Sequence, residues 1–162
     1  MSVLTFLFTD IEGSTRRWEA DADAMRSALE THDAVLRECV DKYEGRLFKH
    51  TGDGVCAVFA SPQSAVDAAV AAQRMLELPV RMGLATGEAE LRDGDYFGAV
   101  LNRAARVMAA GHGGQILLDG TTAGLVPEAA LIPLGNRRLR DIAKPVEIFQ
   151  VQAKACAASF RR

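Results

Sequence analysis

The sequence predicts an α+β fold built on a split β-α-β core. Three observations predict it. Helix-period and strand-type segments alternate along the chain. A tight turn signal, Thr51-Gly52-Asp53-Gly54, places a hairpin between the first two helical segments. The chain has 162 residues, enough for one domain with a real core.

Each element follows in order. Residues 3–10, VLTFLFTD, are short, apolar and rich in Phe and Leu, as a buried strand requires. Gly13 marks a turn, and Ser14 or Thr15 suits a helix N-cap. One helix is expected over 16–43, with Trp18, Met25, Leu29, His32, Val35, Leu36, Cys39 and Val40 near one face. Glu44 and Gly45 stop it. Residues 46–50 and 55–60 form the hairpin. Pro62 opens a second, Ala-rich helix reaching about Leu78. Residues 79–91 read as a glycine-containing strand and 92–98 as a polar loop. Residues 99–110 form a third helix, stopped by the glycines that follow. A strand over 115–119, a short helix over 121–126, and strands near 130–135 and 146–151 complete the chain. The order is that of a ferredoxin-like split β-α-β core with additional helices and strands. One domain is expected over residues 1–152, with an Ala-rich, flexible tail over 153–162.

Composition narrows the function. Net charge is −2, and Lys and Arg are scattered, so no nucleic-acid partner is expected. The three cysteines, Cys39, Cys56 and Cys156, are far apart and odd in number, which suits a reducing compartment rather than a disulfide framework. The first apolar run is broken by Thr5 and ends at Asp10, too short for a membrane segment or a leader. A soluble, cytoplasmic chain is the expectation.

Two carboxylates stand out. Asp10 ends an apolar strand, where an ionised group needs a partner. Asp53 sits at the hairpin tip. Alone, each has an ordinary reading, as a helix cap and a turn residue. In a split β-α-β sheet, however, the first strand and the hairpin are neighbours. Both carboxylates then share one edge and suit divalent cations. Backbone amides of 11–15, at a helix start, would cradle phosphate. On the third helix, Asn102 and Arg106 share a face at i, i+4, while Arg103 points elsewhere. They fit an anionic ligand, or simply a solvated face.

The segments TFLFTDIEGST, FKHTGDGV and GDYFGAVLNRAARV, in that order and spacing, resemble the signature segments of class III adenylate/guanylate cyclase catalytic domains. The resemblance covers roughly residues 3–151. It implies the class III nucleotidyl cyclase fold and two divalent cations, Mg²⁺ or Mn²⁺, held by Asp10, Asp53 and the Ile11 carbonyl. It implies that Lys49 and Asp95 read the base, that Asn102 and Arg106 stabilise the transition state, and that Gly13, Ser14 and Thr15 form the phosphate loop. Arg140, or alternatively Lys144, would meet the triphosphate. The sites would be shared across a homodimer: metal aspartates from one chain, the other residues from its partner. Phe97 has two readings, near the nucleotide or in the core. His50 is expected to be structural, and Glu12 to belong to the phosphate loop without ligating metal.

Lys49 can only donate and ionised Asp95 can only accept. Adenine offers an acceptor at N1 and a donor at the N6 amino group, whereas guanine reverses the pattern. ATP is therefore the expected substrate, and cyclic AMP the product. A guanylate cyclase fits Lys49 and Asp95 poorly, and a diguanylate cyclase would need a GG-[DE]-EF loop where TGDG stands. A catalytically silent nucleotide-binding or regulatory module is the alternative from another class.

Overall fold

The computed structural model describes residues 1–152; the tail expected over 153–162, with Cys156, lies outside the described residues. The elements are β1 (Ser2–Ile11), α1 (Ser14–Ala20), α2 (Ala22–Lys42), β2 (Arg46–Thr51), β3 (Gly54–Phe59), α3 (Pro62–Met75), β4 (Val80–Arg92), β5 (Asp95–Phe97), α4 (Ala99–Ala109), β6 (Ile116–Asp119), α5 (Gly120–Gly124), β7 (Leu131–Arg137) and β8 (Val146–Val151). The sheet runs β2-β3-β1-β4-β6-β8-β7, with β5 paired to β4 alone. The first four strands, β2-β3-β1-β4, form the expected split β-α-β core. β6 adds in parallel to β4, and β8 and β7 extend the sheet antiparallel. Among the described residues, no helix is long and apolar enough to cross a membrane.

Strand alternation separates two cores. Leu7, Leu84 and Leu118 face α2 and α3, with Leu36, Val40, Ala65, Ala69 and Ala72 packed against them. Phe6 and Ala85 face the other side, under Val100 and Ala104 of α4. The alanines of α3 have little side-chain volume, so this helix lies close on the sheet. The buried hydroxyls of Thr5, Thr86 and Thr122 satisfy one another across β1, β4 and α5, at 2.9 and 2.8 Å.

The single helix expected over 16–43 is two. Asp21 is extended (φ −161°, ψ 94°) and its carboxylate accepts from the Ala24 amide, capping α2. Neither Ser14 nor Thr15 caps α1. Gly13 does so, in the left-handed region at φ 72°. The helix expected to reach Leu78 ends at Met75, where Leu76 turns extended (φ −75°, ψ 134°). The polar loop expected over 92–98 contains β5. Asp93 and Gly94, both at positive φ, close a two-residue hairpin back onto β4.

α4 rests on β4 at Gly83. A Cβ there would lie 2.6 Å from the Cα of Met108. Helix α4 carries Asn102 and Arg106, so this close approach fixes where they stand. Gly83→Ala should therefore lower stability by about 2–3 kcal/mol in urea unfolding, the cost of overpacking against backbone. A loss below about 0.5 kcal/mol would show that α4 is not so tightly seated.

Candidate active site

β1 lies between β3 and β4, and its carboxyl end delivers Asp10 to the sheet edge. The β1–β4 register puts Asp10 opposite Arg81. Arg81 donates from Nε to Asp10 Oδ1 and from Nη2 to Asp10 Oδ2, both at 2.7 Å. This bidentate fork fixes the plane of the carboxylate. Those hydrogen bonds raise the Arg81 pKa against the opposing effect of burial; the charges of Asp10, Glu12 and Asp53 add to the rise.

The β2–β3 turn brings Asp53 to the same edge. Its Oδ2 accepts from the Ser14 hydroxyl at 2.7 Å. Asp10, Ile11, Gly13, Ser14, Thr15, Asp53 and Arg81 line one open cleft, together with Arg16 and Glu19. The two carboxylates that topology placed side by side do meet there. Glu12 turns away: its Oε1 accepts from the Gly113 amide at 2.8 Å, and its Oε2 lies 3.2 Å from the His112 ring. The Gly113 bond, then the His112 bond, lower its pKa. Glu12 therefore ties the start of α1 to the loop before β6.

A second cluster forms elsewhere in the chain. Lys49 Nζ lies 3.2 Å from Asp95 Oδ2, with both side chains over a third exposed. Asp95 Oδ1 accepts from the Tyr96 amide at 2.8 Å. β5, absent from the sequence-based expectation, is what carries Asp95 back toward β2. Beneath the pair, Phe6, Phe48 and Tyr96 pack edge to face, with ring centroids 5.0–6.0 Å apart. Cys56 pairs with Lys49 across the hairpin, and burial pushes its thiol up to about 11. That keeps it protonated and unreactive.

On α4, Asn102 is exposed. Arg106 is held by Asp141 in the β7–β8 loop, Nη2 to Oδ2 at 2.9 Å. Arg103 does point elsewhere, to buried Asp119 and the Thr86 carbonyl, at 2.8 and 2.9 Å. Arg140 and Lys144 are both exposed on the β7–β8 loop. Phe97 is 45% exposed, so the core reading fails; Arg92 stacks on its ring at 4.7 Å. His50 reaches Asp33 of α2 at 3.2 Å, which is the structural role expected.

None of Lys49, Asp95, Asn102 or Arg106 lines the aspartate cleft. Sequence reasoning missed Arg81 and Asp141. The signal for Arg81 was a cation heading an apolar strand, but its partner became visible only with the strand register.

The sequence model of the adenylate and guanylate cyclase catalytic domain matches residues 1–93, more than half of the chain. The chain belongs to this family. The cyclase domain is 33% identical over 157 residues to an uncharacterized protein of Mycobacterium tuberculosis, covering 91% of this chain and 55% of that one. It is 28% identical over 207 residues to the receptor-type adenylate cyclase GRESAG 4.2 of Trypanosoma brucei brucei, covering 93% of this chain and 36% of that one. The chain thus spans about half the length, or less, of these curated relatives. The cyclase fold superposes on a Trypanosoma brucei adenylate cyclase solved in its monomeric state. The TM-score is 0.85 at 26% identity, covering 93% of this chain and 90% of that chain. The adenylyl cyclase CyaB from P. aeruginosa shares the fold, with a TM-score of 0.84 at 24% identity over 93% of this chain and 94% of that chain.

The Tyr96 amide, then Lys49, hold the Asp95 carboxyl below its ordinary value. Its contribution to stability is therefore present at neutral pH and is lost as pH falls through this depressed value. A carboxyl-carbon NMR titration should find the Asp95 midpoint below that of an ordinary aspartate. Lys49→Met should move it only part of the way up, because the Tyr96 amide remains. A midpoint at or above the ordinary range would contradict the geometry.

Proposed function

We propose that the chain is an adenylate cyclase catalytic domain, converting ATP into 3′,5′-cyclic AMP and pyrophosphate at sites shared across a homodimer. One observation carries the reading. The residue types this chemistry needs are all present, but within one chain they fall into separate groups: the aspartate cleft, and the residues of β2, β5 and α4 that do not line it. A second copy, docked head to tail, would supply each group with the other.

The donors of the cleft fit hard divalent cations. Asp10 and Asp53 offer carboxylate oxygens, and Ile11 offers a main-chain carbonyl. Mg²⁺ and Mn²⁺ favour oxygen donors, and Mg²⁺ keeps several waters, so few protein ligands suffice. Arg81 takes one lone pair on each Asp10 oxygen and leaves the others available. Two such cations would supply activation of the ribose 3′-hydroxyl and neutralisation of the leaving pyrophosphate.

The chain's own residues do the rest. Lys49 donates to adenine N1 and Asp95 accepts from the N6 amino group. Their 3.2 Å separation suits adjacent atoms of one base edge, and in the free protein each satisfies the other. Asn102 orients the ribose. Arg106 stabilises the charge that builds on the α-phosphate as the 3′-oxygen bonds to phosphorus and pyrophosphate leaves. Gly13, Ser14 and Thr15 present main-chain amides to the phosphates, and a basic residue of the β7–β8 loop, Arg140 or Lys144, meets the triphosphate. Guanine would leave both base contacts unpaired, at about 1–3 kcal/mol each.

Mixing inactive variants tests the sharing directly. Asp10→Ala and Arg106→Ala should each lower activity to a small residual, since both sites of either homodimer are damaged. A heterodimer of the two keeps one intact site. An equimolar mixture should recover roughly a quarter of wild-type cyclic AMP formation, and the recovered activity should favour ATP over GTP by about a hundredfold. No recovery in confirmed heterodimers would overturn the shared site, and equal use of GTP would overturn the assignment of the base.

A further inference from the structure

Arg106 is long, rotatable and, in the reading above, required to point at one phosphorus atom. The structure restrains it at both ends. Its root lies in the last turn of α4, and its tip is held by Asp141 Oδ2 at 2.9 Å. Between them, Nε is buried and lacks a hydrogen-bond partner among the described residues. An enclosed donor left without a partner is costly in a resting protein. Among the described residues, Asp141 is therefore the partner that holds this guanidinium.

Asp141 is well placed to hold that tip. It takes the left-handed conformation, φ 63°, which Asp tolerates better than most residues. The turn around it closes with the Ile142 amide donating to the Leu139 carbonyl at 3.2 Å. Leu139 and Ile142 pack on the cluster formed by Val107, Leu117, Val146 and Ile148. Val107 follows Arg106 on α4, so the loop and the helix share one small core. The carboxylate is thereby fixed relative to the guanidinium by packing rather than by the ion pair alone.

Charge makes the same point. Asp141 adjoins Arg140 and lies three residues before Lys144, the two candidates for the triphosphate. A carboxylate there repels a polyanion. Its presence is understandable if it acts on Arg106 and not on the nucleotide.

We propose that Asp141 is a positioning residue for the cyclisation: it holds the Arg106 guanidinium in the orientation that meets the α-phosphate in the transition state. The inference rests on the reading of Arg106 given under the proposed function. The loss of one part-exposed ion pair and its geometric control should lower kcat about three- to tenfold. It should leave ground-state binding alone, because nucleotide affinity comes from the base and the phosphates.

The experiment uses the full chain with Mn²⁺ and compares Asp141→Asn with Asp141→Glu. Asp141→Asn, which keeps the shape and the backbone tolerance, should lower kcat about three- to tenfold. The affinity for 3′-deoxy-ATP, which lacks the attacking hydroxyl, should stay within about twofold by calorimetry. Asp141→Glu restores the charge and should recover part of kcat; its melting temperature serves as the fold control. In an Arg106→Ala background, Asp141→Asn should change the residual turnover no further. An unchanged or increased kcat, or an equal loss in both backgrounds, would overturn the positioning role. Wild-type turnover by Arg106→Ala alone would overturn the reading of Arg106 itself, a separate and distinguishable failure.

Discussion

The pairing of β1 with β4 is the constraint on which the rest depends. It runs without a break from Ser2 opposite Ala89 to Ile11 opposite Val80. A one-residue slip would turn every side chain of β1 to the other face. Phe6 and Leu7 would exchange cores, and the Thr5–Thr86 hydroxyl contact would break. At the far end, the same register sets Asp10 against Arg81. At Gly83 it seats α4, and through its β5 hairpin β4 returns Asp95 toward Lys49. One ladder therefore places residues of both groups.

Much of this was legible in the sequence, for physical reasons. The core strands carry apolar alternation or runs, and the hairpin carries its turn glycines, so the split β-α-β order followed from local signals. Asp10 and Asp53 became neighbours once that order was known. What stayed hidden depends on partners distant in sequence. Arg81 meets Asp10 across 71 positions, and Asp141 meets Arg106 across 35; neither pair has a local signature. The helix break at Asp21 was a different kind of miss. Asp is a good N-cap, but the apolar stripe continues through it, so periodicity hid the stop. β5 is hidden because Asp93-Gly94 sits in a polar run, where its two-residue hairpin turn has no flanking apolar alternation to mark it.

The two groups of residues differ in how the free chain satisfies them. Lys49 and Asp95 neutralise each other, so under the proposed function a base would exchange one good contact for two. Asp10 is paired with Arg81, whereas Asp53 accepts from the Ser14 hydroxyl and feels the Arg81 charge from further off. The cations of the proposed function would therefore share Asp10 with Arg81 rather than uncover it. Arg106 is held at its tip by Asp141, with its Nε enclosed and unpartnered among the described residues. These residues have the chemistry of a nucleotide site but are not gathered around one cavity in a single chain.

That incompleteness is the central claim, and dilution tests it most directly. Cyclic AMP formation from ATP with Mn²⁺ would be followed over a wide range of chain concentration, with mass photometry reporting the monomer fraction. Activity per chain should fall in step with the dimer fraction and vanish in the monomer. Constant activity per chain in a population shown to be monomeric would contradict it.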